Sequence, residues 1–210
     1  MSKRGLFLVF EGVDGSGTTT QVELLCDFLE GRGHKVIRTR EPGGTRLSER
    51  IRHLVLDPNW TETSFLTELF LYAASRAQHV EELIKPAIEK GSIVVCDRFT
   101  ASSVAYQSFG RGLSRDLVEK VNEIAIGSCA PDLTFFLRIS MEEALRRRAH
   151  RAEQVDRLEE AGQRLQERVA MGYEAVFKED LNTVIVDGHP SSEDIAQEIS
   201  DGLLKRWAWL

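Results

Sequence analysis

Between residues 11 and 20 the chain reads Glu11-Gly12-Val13-Asp14-Gly15-Ser16-Gly17-Thr18-Thr19-Thr20, a glycine-rich run suited to holding phosphate. Gly12, Gly15 and Gly17 let the backbone bend until its N–H groups point inward, at the positive end of a helix dipole. The run follows the apolar stretch Leu6–Phe10 and opens into Gln21-Val22-Glu23-Leu24-Leu25, which has helical spacing. A buried strand, a glycine turn and a helix start are the context that a phosphate-cradling P-loop needs. Thr19 falls where the magnesium-binding hydroxyl of such a loop belongs, whereas Thr18 replaces the lysine expected after the second glycine. An ordinary strand-to-helix turn would share these glycines, so the other clusters have to decide.

Asp97 and Arg98 end the apolar run Ile93-Val94-Val95-Cys96. An acidic side chain at a strand end can hold Mg²⁺ directly or through water, and an arginine beside it can grip a phosphate with two parallel hydrogen bonds. Arg40 and Glu41 follow another apolar run, with a sharp turn at Pro42-Gly43-Gly44. Farther on, Arg146, Arg147, Arg148, Arg151 and Arg157 crowd together in an otherwise acidic chain. Such a run is either a solvated helix face or a mobile lid that brings arginines to a transferring phosphate.

These side chains need a frame that gathers them. The expected strands are Leu6–Phe10, Lys35–Thr39, Ile93–Cys96, Leu133–Leu137 and Thr183–Val186, little alternated and therefore buried on both faces of a parallel sheet. Helical segments are expected at Thr19–Glu30, Leu47–Leu56, Thr63–Glu89, Ser114–Ile126, Ser140 to about Lys178, and Ser192–Trp207. Ser140-Met141-Glu142-Glu143 has the form of a capping box. Strand–helix alternation predicts an α/β fold with a doubly wound, five-stranded parallel sheet flanked by helices in three layers. Ligands of such sheets sit at the carboxyl ends of the strands, which is where the clusters after strands one, two and three all fall.

Bulk properties narrow the choice. With 210 residues, 42% hydrophobic and 29% charged, the chain suits one domain, residues 1–210, with a full core. A formal charge of −6 disfavours general nucleic-acid binding but leaves room for a small anion held by local arginines. The opening apolar run ends at Glu11, too short for a signal peptide or a membrane span. Cys26, Cys96 and Cys129 read as buried thiols of a reducing compartment, so a cytoplasmic protein is expected.

Taken together, the motifs resemble those of the thymidylate kinase family, a branch of the P-loop nucleoside monophosphate kinases, along nearly the whole chain. They are the Glu11–Gly17 loop, Thr39-Arg40-Glu41-Pro42-Gly43-Gly44, Ile51-Arg52, Leu71-Tyr72-Ala73-Ala74-Ser75-Arg76, Asp97-Arg98-Phe99, Ser102-Ser103-Val104-Ala105-Tyr106-Gln107, Gly110-Arg111-Gly112, Pro131-Asp132-Leu133 and Asp156-Arg157-Leu158-Glu159. The resemblance implies transfer of the terminal phosphate of ATP to thymidine monophosphate, with Mg²⁺, in the making of thymidine triphosphate. It implies an ATP-phosphate cradle at Gly12, Val13, Asp14, Gly15, Ser16, Gly17, Thr18, Thr19 and Thr20, with Thr19 and Asp97 at the metal. Arg98 and Arg52 would bind the acceptor phosphate, with Glu41 nearby. Tyr72, where the family usually has Phe, would stack on thymine, and Arg76 would meet the base edge. Ser102, Ser103 and Gln107 would border base and sugar. Asp14 would hold the 3′-hydroxyl, and Tyr106 would crowd the place of a 2′-hydroxyl. The resemblance also implies a lid over about residues 146–158 and a homodimer packed through helices, with Thr63–Glu89 as a contributor. Family members without a basic residue at the loop's variable positions carry lid arginines, which fits Val13 and Ser16 beside Arg147, Arg148 and Arg151.

The resemblance and the residues agree that no dedicated base is required, because the acceptor phosphate is already anionic. The obstacle is repulsion between two anions, which arginines and Mg²⁺ relieve. Loss of the loop lysine at Thr18 could cost on the order of 3 kcal/mol, about a hundredfold in rate. A lid arginine fills the place (Arg148 or Arg151, expected to be catalytic together with Asp14 and Arg98), or the enzyme is slow, or the chain is a nucleotide binder without turnover. A kinase for another pyrimidine monophosphate is the nearest alternative within enzymes. Thr19, Asp97, Arg98 and the lid arginines supply the other parts, so activity is the expectation.

Overall fold

The structure is a computed structural model that describes residues 4–149, 162–178, 180 and 182–210. Five parallel strands form one sheet in the order β2-β3-β1-β4-β5. They are β1 (Phe7–Gly12), β2 (Val36–Arg40), β3 (Ile93–Asp97), β4 (Leu133–Arg138) and β5 (Thr183–Asp187). Every residue of β1 is buried, as its unbroken apolar run requires of a central strand. Leu8 and Phe10 point into a core shared with α1 (Thr18–Gly31) and the last helix, α9 (Ser192–Arg206). Phe7 and Val9 point the other way, against Val94, Cys96 and Phe99. The two-sided burial read from the sequence is observed in β1, β3 and β4, whereas the edge strands β2 and β5 are largely half-buried or exposed, because each has a neighbour on one side alone.

Between β2 and β3 come α2 (Arg46–Leu56) and α3 (Phe65–His79). Thr45 caps α2 by accepting from Ser48 N, and Ser64 caps α3 by accepting from Thr67 N. The single helix expected over Thr63–Glu89 is helical throughout, but its turn widens to π geometry at Val80–Ile84 before α4 (Lys85–Glu89). Pro86 is the physical reason: it lacks an N–H and its ring crowds the carbonyl one turn earlier. After β3 come a helical turn, α5 (Thr100–Ser103), and a π-helical segment, Val104–Gly110. Neither was expected, because serine, valine, tyrosine and glycine are weak helix formers.

α6 (Arg115–Ile126) leads into β4. The segment expected from Ser140 onward appears as α7 (Met141–Ala149) and α8 (Gln163–Phe177); residues 150–161 lie outside the described residues. Half of the capping box is present, with Ser140 Oγ accepting from Glu143 N at 3.2 Å. The other half is replaced: Ser140 N bonds His189 at 3.2 Å, and the Glu143 carboxylate turns to Arg146 and Arg147. Cys26, Cys96 and Cys129 are unpaired and buried, and burial pushes the Cys26 thiol up to about 12. Among the described residues, no helix is long and apolar enough to cross a membrane.

Candidate active site

The turn from β1 into α1 depends on glycine. Gly15 and Gly17 have φ of 92° and 96°, a region that side chains other than glycine rarely enter. A Cβ on Gly12 would lie 2.8 Å from the Leu137 carbonyl oxygen, so the loop can pack against β4 only with glycine there. Gly17 offers no side chain to cap α1, and the N–H groups of the first turn have no carbonyl within the helix. They are therefore available to an anion.

Thr19 Oγ1 donates to Asp97 Oδ2 at 2.6 Å, which joins the loop to the end of β3. Asp97 Oδ1 is buried without a hydrogen-bond partner among the described residues. A carboxylate oxygen with no hydrogen bond, and with Arg98 Nε 3.9 Å away, beside a hydroxyl is what a cation would satisfy, so Thr19 and Asp97 fit Mg²⁺. No group of three or more His, Cys, Asp or Glu side chains could cage a metal among the described residues. An ion here would draw its other ligands from nucleotide and water.

Arg98 follows with φ of 73°, the left-handed region and the one such case among the described residues that are not glycine. Its N–H donates to Phe10 O at 2.8 Å. Its guanidinium donates to Asp14 Oδ1 at 3.0 Å and to the Tyr173 hydroxyl at 2.7 Å. Burial would favour loss of its proton, but Tyr173, Tyr106, Asp14 and Asp97 outweigh that and hold its pKa well above the ordinary arginine value. Asp14 Oδ2 accepts from the Tyr106 hydroxyl at 2.7 Å. Burial and the Asp14 charge keep that phenol protonated. Ser102 Oγ donates to Glu11 Oε2 at 2.6 Å, and Glu11 also accepts from Phe99 N at 2.8 Å and Ser102 N at 3.1 Å. Burial pushes the Glu11 carboxyl upward, against the pull of Arg98 and these donors.

A second network begins one peptide away. Arg76, 2% exposed, donates through Nε to Glu41 at 2.6 Å, through Nη1 to Ser103 and Asn122 at 3.0 and 2.6 Å, and through Nη2 to Phe99 O at 2.9 Å. Four of its five N–H donors are thereby committed. Glu41 also meets His79 Nδ1 at 3.0 Å, and His79 Nε2 meets Thr39 Oγ1 at 2.7 Å. Gly44, with φ of 88°, packs directly on the His79 ring, where a Cβ would collide. Arg52 reaches back to Pro42 O at 2.9 Å. Gln107 donates to Glu68 at 2.9 Å, and Arg111 bonds the same carboxylate. Tyr72 is buried in the cluster that also holds Val13, Tyr106 and Tyr173.

The structure thus gathers Asp14, Thr19, Asp97, Arg98, Ser102 and Tyr106 around the loop, and Glu41, Arg76 and Ser103 into the adjoining network. Gln107 faces away from both, toward Glu68. Of the expected lid arginines, Arg148 lays its aliphatic stem beside Gly15, and Arg151 lies outside the described residues. Arg147 sets its guanidinium on the loop itself. Its Nη1 is 3.5 Å from Ser16 O, Nη2 is 2.8 Å from Gly188 O, and Nε is 2.6 Å from Glu143. Sequence reasoning missed Tyr173, Asn122 and His79. Tyr173 belongs to the stripe Leu165, Val169, Tyr173 and Phe177, whose spacing reads as core; its one signal was a hydroxyl within that stripe.

An anion cradle facing a paired hydroxyl and carboxylate, at the carboxyl edge of this sheet, marks the P-loop phosphotransferases as a class. Comparison with known proteins narrows it. The thymidylate kinase family model matches residues 10–199. The chain is 48% identical to a thymidylate kinase of Halothermothrix orenii, over 93% of this chain and 95% of that protein. It is 42% identical to one of Finegoldia magna over 96% and 98%, and 45% identical to one of Thermosipho melanesiensis over 92% and 95%. This chain belongs to the thymidylate kinase family.

Proposed function

We propose that this enzyme transfers the terminal phosphate of ATP to thymidine monophosphate, giving thymidine diphosphate. The observation that carries the reading is Arg98, charged and held between Asp14 and Tyr173, beside the Thr19–Asp97 pair at the mouth of the loop. The loop N–H groups from Gly12 to Thr20 cradle the donor phosphates. Arg98 and Arg52 draw in the acceptor phosphate, and the two anions are brought together by neutralising their charge. Thr19 and Asp97 would hold Mg²⁺, which would supply charge neutralisation on the donor. Tyr72 offers its ring to the base, Arg76 keeps one N–H for the base edge, and Ser102 and Ser103 line the region between, while Gln107 stays bonded to Glu68. Asp14 and Tyr106 face the sugar.

The charge that Thr18 lacks is supplied by Arg147, whose guanidinium already lies on Ser16 and Gly188. Arg148 assists from beside Gly15. Residues about 146–158 act as a lid within one domain, although most of that stretch lies outside the described residues. The three buried, unpaired cysteines support a cytoplasmic setting. Leu47 and Leu54 of α2, Leu66 and Phe70 of α3, and Leu117 and Ile124 of α6 are exposed large apolar side chains, and they support pairing with a second copy.

The decisive experiment mixes enzyme, ATP, Mg²⁺ and thymidine monophosphate and looks for the diphosphate product. Turnover is expected, faster than with deoxyuridine, cytidine or uridine monophosphate. Binding of both nucleotides without product, at high enzyme concentration, would sink the catalytic reading.

A further inference from the structure

Tyr173 is fully buried on α8, at 0% exposure. Its ring stacks on Phe136 with centroids 5.7 Å apart and meets Tyr106 edge-on at 6.5 Å. The hydroxyl leaves this apolar wall and touches three polar groups at once. It accepts from Arg98 Nη1 at 2.7 Å, lies 2.8 Å from Ser102 Oγ, and is 3.1 Å from Glu11 Oε2.

The proton inventory gives this cluster a direction. A guanidinium can only donate, and a carboxylate can only accept. The phenol spends its acceptor capacity on Arg98, so its single proton goes toward Glu11, directly or through the Ser102 hydroxyl. Hydrogen bonds therefore run one way, from Arg98 through Tyr173 to Glu11, and each strengthens the next. Burial keeps the phenol protonated, as this arrangement requires.

Arg98 needs such support. Its backbone stands at φ of 73°, and its side chain leaves that point with Asp14 as its other hydrogen-bonded anchor among the described residues. Of its five N–H donors, one is committed to Asp14 and one to Tyr173, which leaves three. Bidentate recognition of a phosphate demands that the guanidinium plane be fixed within about 10–20°. Two anchors on different nitrogens fix a plane, and one does not.

We propose that Tyr173 is a positioning residue for phosphoryl transfer: its hydroxyl fixes the guanidinium of Arg98, whose Nε lies 3.9 Å from Asp97 Oδ1, so that its uncommitted donors meet the acceptor phosphate in one orientation. This rests on the reading of Arg98 as a ligand of that phosphate. It places part of the acceptor site on α8, a helix that contributes no motif residue to it.

The test is Tyr173→Phe, which removes the hydroxyl and keeps the ring stacking. Turnover over the Michaelis constant for thymidine monophosphate should fall about 10- to 100-fold, with the constant for ATP changed less than about twofold. In an Arg98→Ala background the same change should have no further effect, because the group it positions is gone. Calorimetric binding of thymidine monophosphate provides the same comparison without turnover and below the melting temperature of either variant. Equal losses in both backgrounds, equal effects on both substrates, or wild-type behaviour of Tyr173→Phe would each overturn the proposal. Failure of the unaltered enzyme to make product would instead overturn the functional reading beneath it.

Discussion

Thr18 and Arg147 bear on the same stretch of loop from opposite sides. Thr18 is a short, buried side chain at the position where a cation normally extends toward the phosphates, and Arg147 reaches Ser16 O at 3.5 Å. If one cation stands in for the other, Arg147→Ala should lower kcat about a hundredfold while ATP binding changes far less. Adding Thr18→Lys to that variant should recover most of the loss, read by steady-state kinetics. A double variant as slow as Arg147→Ala alone would show that the two positions are not interchangeable. At this scale the sequence revealed what sits at strand ends and in the glycine loop: Asp14, Thr19, Asp97 and Arg98. It concealed Tyr173 because hydrogen bonds made inside a helix's apolar stripe leave no trace in spacing. The Glu11 and Tyr173 side chains that meet are 162 positions apart.

Elements decide how firmly those side chains are held. α8 packs on the π-helical segment Val104–Gly110, with Gly172 set against it. A Cβ there would stand 2.8 Å from Ala105 Cα and 3.0 Å from Phe109 Cβ. Taken as an isolated helix, α8 would gain about 1 kcal/mol from Gly172→Ala. In contact with its neighbour it should instead lose about 1–3 kcal/mol through overpacking, a lower melting temperature being the readout. Turnover should fall as well, since Tyr106 and Tyr173 ride on the two segments pushed apart. A stabilised variant would show that the approach is looser than described. The sequence foretold strands and the main helices well, since long apolar runs and caps are local signals. It did not foretell α5 and the π turn, where tertiary packing overrides weak helix formers, nor the widening ahead of Pro86.

At the scale of the whole molecule, the sheet order was the part least accessible from sequence, because pairing of β1 between β3 and β4 is set by crossovers and not by any strand's composition. The parallel α/β class was legible, since most of the strands lack alternation and helices come between them. Association is a property of the same scale. Phe70 is 52% exposed on α3, one helical turn from exposed Leu66. With the pairing proposed above, the unaltered protein should sediment as two chains and Phe70→Glu as one; a wild-type single chain would sink the pairing, and a variant of unchanged mass would move the contact elsewhere. One feature joins these scales. Phe99 N donates to Glu11 and Phe99 O accepts from Arg76, while Arg98 is its immediate neighbour. With Arg98 on the acceptor phosphate and Arg76 on the base, as proposed, the end of the acceptor that carries charge and the end that carries identity would both be gauged by one tripeptide, Asp97-Arg98-Phe99. Retuning which nucleobase is welcomed by altering Arg76 would also disturb where the phosphate rests. New acceptor preferences are better sought at Tyr72, the ring proposed to meet the base, which belongs to a different buried cluster from Phe99.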